Sequence, residues 1–136
     1  MPIDYYIDHG QRLVVARGRG VFTGTDMFAY QREVWSRPDV RGYDELVDMT
    51  NVEAIETPSP AGLRIRQLAT EAAAQDDPAS ATKFAIVAPD SLAFGLGREY
   101  QSYRDLDARS RKQVGVFRTL AEAVAFLGKG LTESSD

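Results

Sequence analysis

The side chains that could do chemistry are few in this sequence. There is one histidine, His9, and there is no cysteine, which excludes thiol nucleophiles, disulfides and thiolate zinc sites. His9 follows Asp8 in a predicted turn, whereas imidazole catalysis needs an orienting partner and a nucleophile within reach. We therefore interpret His9 as a surface turn residue, and we expect no catalytic residues and no cofactor.

Carboxylates could in principle gather near the ends of the predicted strands. The candidates are Asp4, Asp8, Asp48, Glu53 and Glu56. Carboxylate oxygens bind magnesium and calcium, but no loop has EF-hand spacing, and Asp76-Asp77 resemble a helix end. The sequence therefore predicts no specific metal site.

The stretch VEAIETPSPAGLRIRQL, residues 52–68, carries two open interpretations. Pro58 and Pro60 disfavour helical geometry in the residues before them and suit the first helical position, so Thr57 or Ser59 is expected to cap a helix. A loop at a helix amino terminus also presents groups to partners, which makes 50–60 a candidate interaction surface. Thr57 is then its switch position, with Ser59, Glu56 and Asp48 beside it.

A second candidate site lies in AFGLGRE, where Gly95 and Gly97 interrupt a predicted helix. A glycine inside a helix costs about 1 kcal/mol relative to alanine, so something is expected to offset it. Close packing against a neighbouring element is one explanation, and backbone approach to a ligand is the other. In the second case Phe94 and Tyr100 would line an apolar pocket with the two glycines, although aromatics at this spacing are also typical of core.

Composition limits the class of protein. The 136 residues suit a single domain, which we assign to 1–130 with a disordered tail over 131–136. The net charge of −4 argues against global attraction to nucleic acid or to anionic lipid, and we expect no nucleic-acid partner. No apolar run has the length of a signal peptide or a membrane span, and with the lack of cysteine this predicts a cytoplasmic protein.

Hydrophobic patterning predicts the order β-β-α-β-α-β-α-β-α. The first two strands, 3–8 and 11–18, should form a hairpin around Gly10, and the apolar run in 83–89 suggests a strand buried on both faces. Such alternation predicts an α/β fold, in which one mixed, mostly parallel five-stranded sheet carries about four helices. The expected strands are 3–8, 11–18, 43–49, 83–89 and 114–119. The expected helices begin at Thr23, Thr25 or Asp26, at Thr57 or Ser59, at Asp90 or Ser91, and at Thr119.

Two segments carry a resemblance to a known family. LVDMTNVEAIET, followed by Gly62-Leu63, and KFAIVAPDSLAFGLGREYQSYRD with VGVFRTLAEAVAFLG are similar to STAS domains, the anti-sigma-factor-antagonist class, and to related SEC14-like folds. In STAS domains a Ser or Thr in the position of Thr57 is often the target of a partner kinase. Here Glu56 replaces the usual Asp, and PSPA separates Thr57 from Gly62.

Two functions follow as expectations. The resemblance implies a non-enzymatic regulatory module that docks a protein partner, and the aromatic residues Phe28, Tyr30 and Trp35 of the first helix could add a self-association surface. The alternative is a SEC14-like carrier of a small apolar ligand or lipid. A filled core with an exposed loop at Thr57 would favour the first, and a pocket of roughly a few hundred Å³ lined by Phe94, Leu96 and Tyr100 would favour the second.

Overall fold

The computed structural model describes residues 3–56 and 61–131. Its ten elements are β1 (Ile3–Asp8), β2 (Leu13–Thr23), α1 (Gly24–Trp35), a 3₁₀ turn (Pro38–Val40), β3 (Asp44–Glu56), α2 (Ala61–Gln75), β4 (Thr82–Val87), α3 (Ser91–Leu106), β5 (Lys112–Phe117) and α4 (Leu120–Leu127).

One five-stranded sheet with the strand order β1-β2-β3-β4-β5 organises the chain. β1 pairs antiparallel with β2, and β2, β3, β4 and β5 run parallel. The register places Tyr6 opposite Val15 in the hairpin and Leu46 opposite Ala85 in the parallel part. These features confirm the predicted mixed sheet with its initial hairpin and four helices.

Helices cover the sheet unequally. α1, α2 and α3 pack on one face, over a core that includes Val14, Val47 and Ile86. α4 alone packs on the other face, over Val15 and Val87. β4 contributes to both cores because it lies inside the sheet, as its unbroken apolar run predicts.

Two strands are longer than their patterns predict. β2 continues to Thr23 and β3 to Glu56, so residues 50–56, which we expected to form a loop, are strand. The register between the two strands shifts twice, and β3 gains one residue each time. Because of these bulges, Val52 and Ile55 pack against the same core although they are three residues apart in the sequence. A regular strand puts every second residue on one face, so this spacing does not identify a strand.

The caps of α3 and α4 are residues that the sequence predicts, but the buried face of α3 is not the predicted one. Thr119 forms a capping box with Glu122, and Asp90 caps α3 by accepting from Leu92 and Ala93. The spacing of Leu92, Leu96, Tyr100 and Tyr103 predicts that they share one apolar face of α3, yet Leu92 is 57% exposed. α3 instead turns Ala93, Gly97, Tyr100 and Arg104 inward.

Candidate functional site

An apolar cleft of about 90 Å³ lies between the sheet and the three helices α1, α2 and α3. It opens to solvent near the carboxyl ends of the parallel strands, the edge where open α/β sheets generally bind ligands. The sheet contributes Val47, Met49, Ile55, Phe84 and Ile86 to its wall, together with Phe22 at the end of β2. The helices contribute Met27, Phe28, Ile65, Leu68, Ala93 and Leu96.

The polar side chains in the wall of this cleft are already engaged, with one exception. Thr23 forms the capping box of α1 with Asp26, and the hydroxyl of Tyr100 accepts from Arg104. Arg64 stands over the ring of Phe28 at 4.7 Å, and its buried Nε atom has no hydrogen-bond partner. The cleft therefore offers apolar surface and one incompletely bonded cation.

The four residues predicted to line a pocket are placed differently from one another. Gly97 and Tyr100 lie in the wall of the apolar cleft. A Cβ atom at Gly97 would lie 3.0 Å from Cγ1 of Val116, so α3 packs closely on β5 at this point. A Cβ atom at Gly95 would meet no atom within 4 Å, and Phe94 stacks under Arg118 at 4.1 Å. Neither Phe94 nor Gly95 lines the cleft, because the face of α3 that borders it carries Gly97 and Tyr100.

Two of the four candidate switch residues can be placed. Asp48 lies on β3 on the α4 side of the sheet, where its carboxylate accepts from the backbone amide of Thr50 at 3.0 Å. Glu56 is the exposed last residue of β3. Thr57 and Ser59 lie outside the described residues, and so does the helix cap predicted for one of them.

A buried polar cluster occupies the other end of the same helical layer. Glu45 on β3 accepts from Lys112 Nζ at 3.0 Å, from the hydroxyl of Tyr30 at 2.8 Å and from Trp35 Nε1 at 3.0 Å. Arg104, whose side chain is 1% exposed, donates to Asp76 and to Tyr100. These charges surround a polar cavity of about 50 Å³.

Burial sets the protonation of this polar cluster. It raises the pKa of Tyr30 well above its ordinary value, and the carboxylate of Glu45 adds to the shift. It lowers the pKa of Lys112, and the attraction of Glu45 opposes that shift. Each charge has an opposite partner, as buried charges generally require, so the cluster holds neutral phenols between paired ions.

Sequence reasoning did not find this cluster. Lys112 and Glu45 are 67 residues apart in the chain, and neither belongs to a motif. Arg64 was also missed, because its neighbours in sequence read as an ordinary amphipathic helix. The only sign of these residues in the sequence is a charged residue among apolar ones. Because charged residues are also common on solvated faces, this sign does not identify a buried charge.

The single histidine lies on the exposed surface, away from the residues that line the apolar cleft. His9 Nδ1 lies 2.7 Å from the hydroxyl of Tyr43, and its Nε2 lies 4.0 Å from Asp39 on an exposed surface. Within residues 3–56 and 61–131, no group of three His, Asp or Glu side chains is arranged to hold a metal ion. The aromatic side chains of α1 turn inward, with Phe28 and Tyr30 buried and Trp35 half-buried.

Comparison with solved structures identifies the fold. An uncharacterised protein of the DUF3478 family from Shewanella loihica PV-4, described as having a SpoIIAA-like fold, superposes with a TM-score of 0.56 over 92% of this chain and 93% of that one. The chain has a SpoIIAA-like fold. SpoIIAA-like folds are STAS-like, in agreement with the resemblance seen in the sequence.

The likeness in sequence is much weaker than the likeness in fold. The two chains with the SpoIIAA-like fold share 14% identity. The sequence matches no family model, and no curated protein matches it. No helix in the described part of the chain has both the length and the apolar character needed to cross a membrane.

Proposed function

We propose that this protein is a non-enzymatic STAS-like module that binds a small apolar ligand in the cleft between α1, α2, α3 and the sheet. The observation that carries the proposal is the wall of the cleft, which is apolar except at Thr23, Arg64 and Tyr100. Ligand sites are typically concave and mostly apolar, with a few placed polar groups. Water in such a cleft gains few hydrogen bonds, whereas an apolar ligand gains contact on several sides.

The same wall argues against a reaction in the cleft. Thr23 is committed to the capping box of α1, and Tyr100 is a neutral phenol bound to Arg104. General acid–base catalysis needs a group with a pKa near the working pH beside the substrate. The described wall offers no such group, so binding is the function that it supports best.

A neutral fluorescent probe tests the proposal. Laurdan (6-dodecanoyl-2-dimethylaminonaphthalene) is a neutral probe that fluoresces in apolar surroundings and whose alkyl chain is narrow enough to enter the cleft, and we expect saturable binding by the wild-type protein. Leu96→Trp should fill part of the cleft and weaken binding at least several-fold. Leu92→Trp is the matched control, because Leu92 lies one turn away on α3, is exposed and does not line the cleft. Equal loss in both variants, or no saturable binding by the wild type, would reject the proposal.

Native mass spectrometry of protein purified from its host supplies an independent test. A ligand retained through purification would appear as added mass that denaturation removes. We expect that mass to be reduced in Leu96→Trp and kept in Leu92→Trp.

A specific feature of β3 favours a second candidate function, the docking of a protein partner. β4 pairs with β3 through Glu45–Asp48, and no described strand pairs with β3 on that side beyond this point. Backbone groups at such an edge can accept an added strand. The exposed side chains of Glu53 and Glu56 favour a partner segment that carries basic residues.

Residues 57–60 follow Glu56 directly in the sequence, so the proposed switch at Thr57 belongs to the second candidate. A phosphate there would add negative charge beside Glu56 and oppose a basic partner. Pull-downs from host lysate with wild type, Thr57→Ala and Thr57→Glu should recover the partner with all but the last. If all three recover the same proteins, the switch is rejected. Edge docking is tested separately by Ala54→Pro, which removes a backbone donor from the part of β3 beyond Asp48 and should reduce recovery of the partner.

A further inference from the structure

We propose that the ligand of the apolar cleft carries an anionic head group, which Arg64 and Arg66 bind at the mouth. This proposal rests on the ligand-binding function proposed above and assigns the chemical class of the ligand.

The apolar cleft shares part of its wall with a second cavity. This second cavity, the outer groove, is an open groove of about 400 Å³, lined by Phe28, Arg32, Arg64, Arg66, Gln67, Thr70 and Glu71. Phe28 and Arg64 belong to the walls of both. A single molecule can therefore place one end among apolar side chains and the other among polar ones.

The outer groove is positively charged in a protein whose net charge is −4. Its wall carries three arginines and one glutamate. Arg32 uses its Nε and Nη2 to bind both oxygens of Glu71, at 3.0 and 2.8 Å, which neutralises that pair. Within residues 3–56 and 61–131, no carboxylate forms an ion pair with Arg64 or Arg66. Two cations thus remain for an external anion.

Arg64 is the group that most needs a partner. Its Nε atom is buried and makes no hydrogen bond, and a buried polar group without a partner is costly. The guanidinium is held over the ring of Phe28, so the anion would meet a side chain that is already positioned. The planar fork of arginine suits bidentate binding of a carboxylate or a phosphate.

Among the carboxylates of the surrounding helices, Glu71 attracts Arg64 but forms its ion pair with Arg32. Asp26 on α1 accepts from the amide and hydroxyl of Thr23, and Glu71 on α2 is bound by Arg32. The other helix of the cleft, α3, contributes Ala93, Leu96, Gly97 and Tyr100 to its wall and no carboxylate. An acidic head group would be the missing counter-charge.

The volumes limit the apolar part of the ligand. A cavity of about 150 Å³ holds a benzene molecule. The inner cleft of about 90 Å³ is smaller, so it has room only for a short segment of an alkyl chain. The remainder of the chain and the head group would occupy the outer groove. The ligand class is therefore an aliphatic chain that ends in a carboxylate or a phosphate, either free in solution or drawn from a lipid surface.

Displacement of the alkyl-chain probe laurdan by ligands of one chain length tests the head group. We expect decanoate and decyl phosphate to displace the probe from the wild-type protein at concentrations roughly tenfold lower than decanol or decyltrimethylammonium, because charge-assisted hydrogen bonds form only with the anions. If decanol competes as well as decanoate, the anionic head group is rejected while the apolar site stands. If the probe itself does not bind, both proposals fail.

Variants assign the effect to the two arginines. Arg64→Gln and Arg66→Gln should each reduce the preference for decanoate over decanol several-fold and leave decanol unchanged. Arg98→Gln is the control, because Arg98 is an exposed arginine on α3 that lines neither cavity. Arg66 is itself exposed, so its variant should fold and keep the test valid if Arg64→Gln is unstable. A preference that survives both changes would overturn the assignment.

A parallel arm identifies the source of the ligand. Sedimentation with phosphatidylcholine vesicles containing phosphatidylglycerol would show binding to a lipid surface, and binding to decanoate without such sedimentation would show capture of free molecules. In both experiments, Arg64→Gln or Arg66→Gln must reduce binding to the vesicles or to decanoate, and Arg98→Gln must leave that binding unchanged. A loss of equal size in all three variants would reject the site.

Discussion

Arg104 donates from Nη1 to the hydroxyl of Tyr100 at 2.7 Å, and this bond links the apolar cleft to the buried polar cluster. The ring of Tyr100 lines the cleft and meets the edge of Phe84 at a centroid distance of 5.6 Å. Arg104 lines the polar cavity and holds Asp76, which also accepts from the backbone amide of Lys112 at 3.2 Å. One tyrosine therefore belongs to both regions.

Tyr100→Phe should destabilise the protein by about 1–3 kcal/mol, because it leaves a buried donor of Arg104 without its acceptor. Urea unfolding followed by circular dichroism would measure this change in the free energy of unfolding. Tyr103→Phe is the matched control, since the hydroxyl of Tyr103 makes no hydrogen bond within the described residues. Equal effects of the two substitutions would show that the Arg104 bond adds nothing.

The pair of Glu45 and Lys112 should show strong energetic coupling. Lys112→Met leaves the Glu45 carboxylate buried without its cation, at a cost of about 3–5 kcal/mol. Glu45→Gln keeps an acceptor for Tyr30 and Trp35 but leaves Lys112 unpaired. We expect the double variant to cost less than the sum of the two single variants in a double-mutant cycle.

The exposed pair of Asp4 and Arg19, at 2.7 Å, provides the comparison. Asp4→Asn should change the free energy of unfolding by less than about 1 kcal/mol, as is usual for surface ion pairs. If the double-mutant cycle of Glu45 and Lys112 gives a coupling energy no larger than the effect of Asp4→Asn, the two buried charges do not act as a pair.

The buried tyrosines predict a loss of stability in alkali. Burial raises the pKa of Tyr30 and of Tyr100, so the unfolded chain releases these protons first. Their contribution is complete below the ordinary tyrosine pKa of about 10 and is lost as the pH rises towards the folded values. Lys112, whose pKa burial lowers, acts in the opposite direction up to its unfolded pKa of about 10.4.

Phenolate absorbance and circular dichroism, recorded together against pH, would test this titration. We expect two phenols to ionise only as the fold is lost, and Tyr100→Phe should remove one of them. Ionisation of every tyrosine in one phase near the ordinary pKa, with the fold intact, would contradict the burial argument.

The two glycines of α3 should respond in opposite directions to the same substitution. Gly97→Val places a side chain against Val116 and should destabilise the protein by about 1–3 kcal/mol through overpacking. Gly95→Val meets open space and should be neutral or raise stability by a few tenths of a kcal/mol, because valine is the better helix former. Thermal unfolding of the two variants side by side gives the measurement, and similar shifts would contradict the close contact of Gly97.

The sequence predicts the order of elements and the type of sheet because those depend on local patterns. The apolar run before Pro89 identifies an interior strand, and the spacing of Thr119 and Glu122 identifies a helix start. The extent of β3 was not predictable in the same way. Its bulges are set by pairing with β2, so Val52 and Ile55 follow no period that the chain reveals alone.

The candidate site was predictable to a smaller degree than the fold. Gly97 and Tyr100 stand out in sequence because glycines interrupt a helix beside aromatic residues. Arg64 acquires its significance only from Phe28, which belongs to another helix. Leu92 shows the reverse error, because the face that α3 buries is chosen by its contact with β5 rather than by the number of leucines on each side.

The arrangement in which α4 alone covers one face of the sheet has a consequence for synthesis. Leu13, Leu46 and Ala85 become buried under a helix that begins only at Leu120, after every strand has left the ribosome. A nascent chain that has emerged as far as residue 119 contains all five strands but lacks α4. One face of its sheet therefore exposes apolar side chains, and chaperones bind such surfaces. We expect crosslinking on stalled ribosomes to capture a chaperone on such chains and to lose it once α4 has emerged.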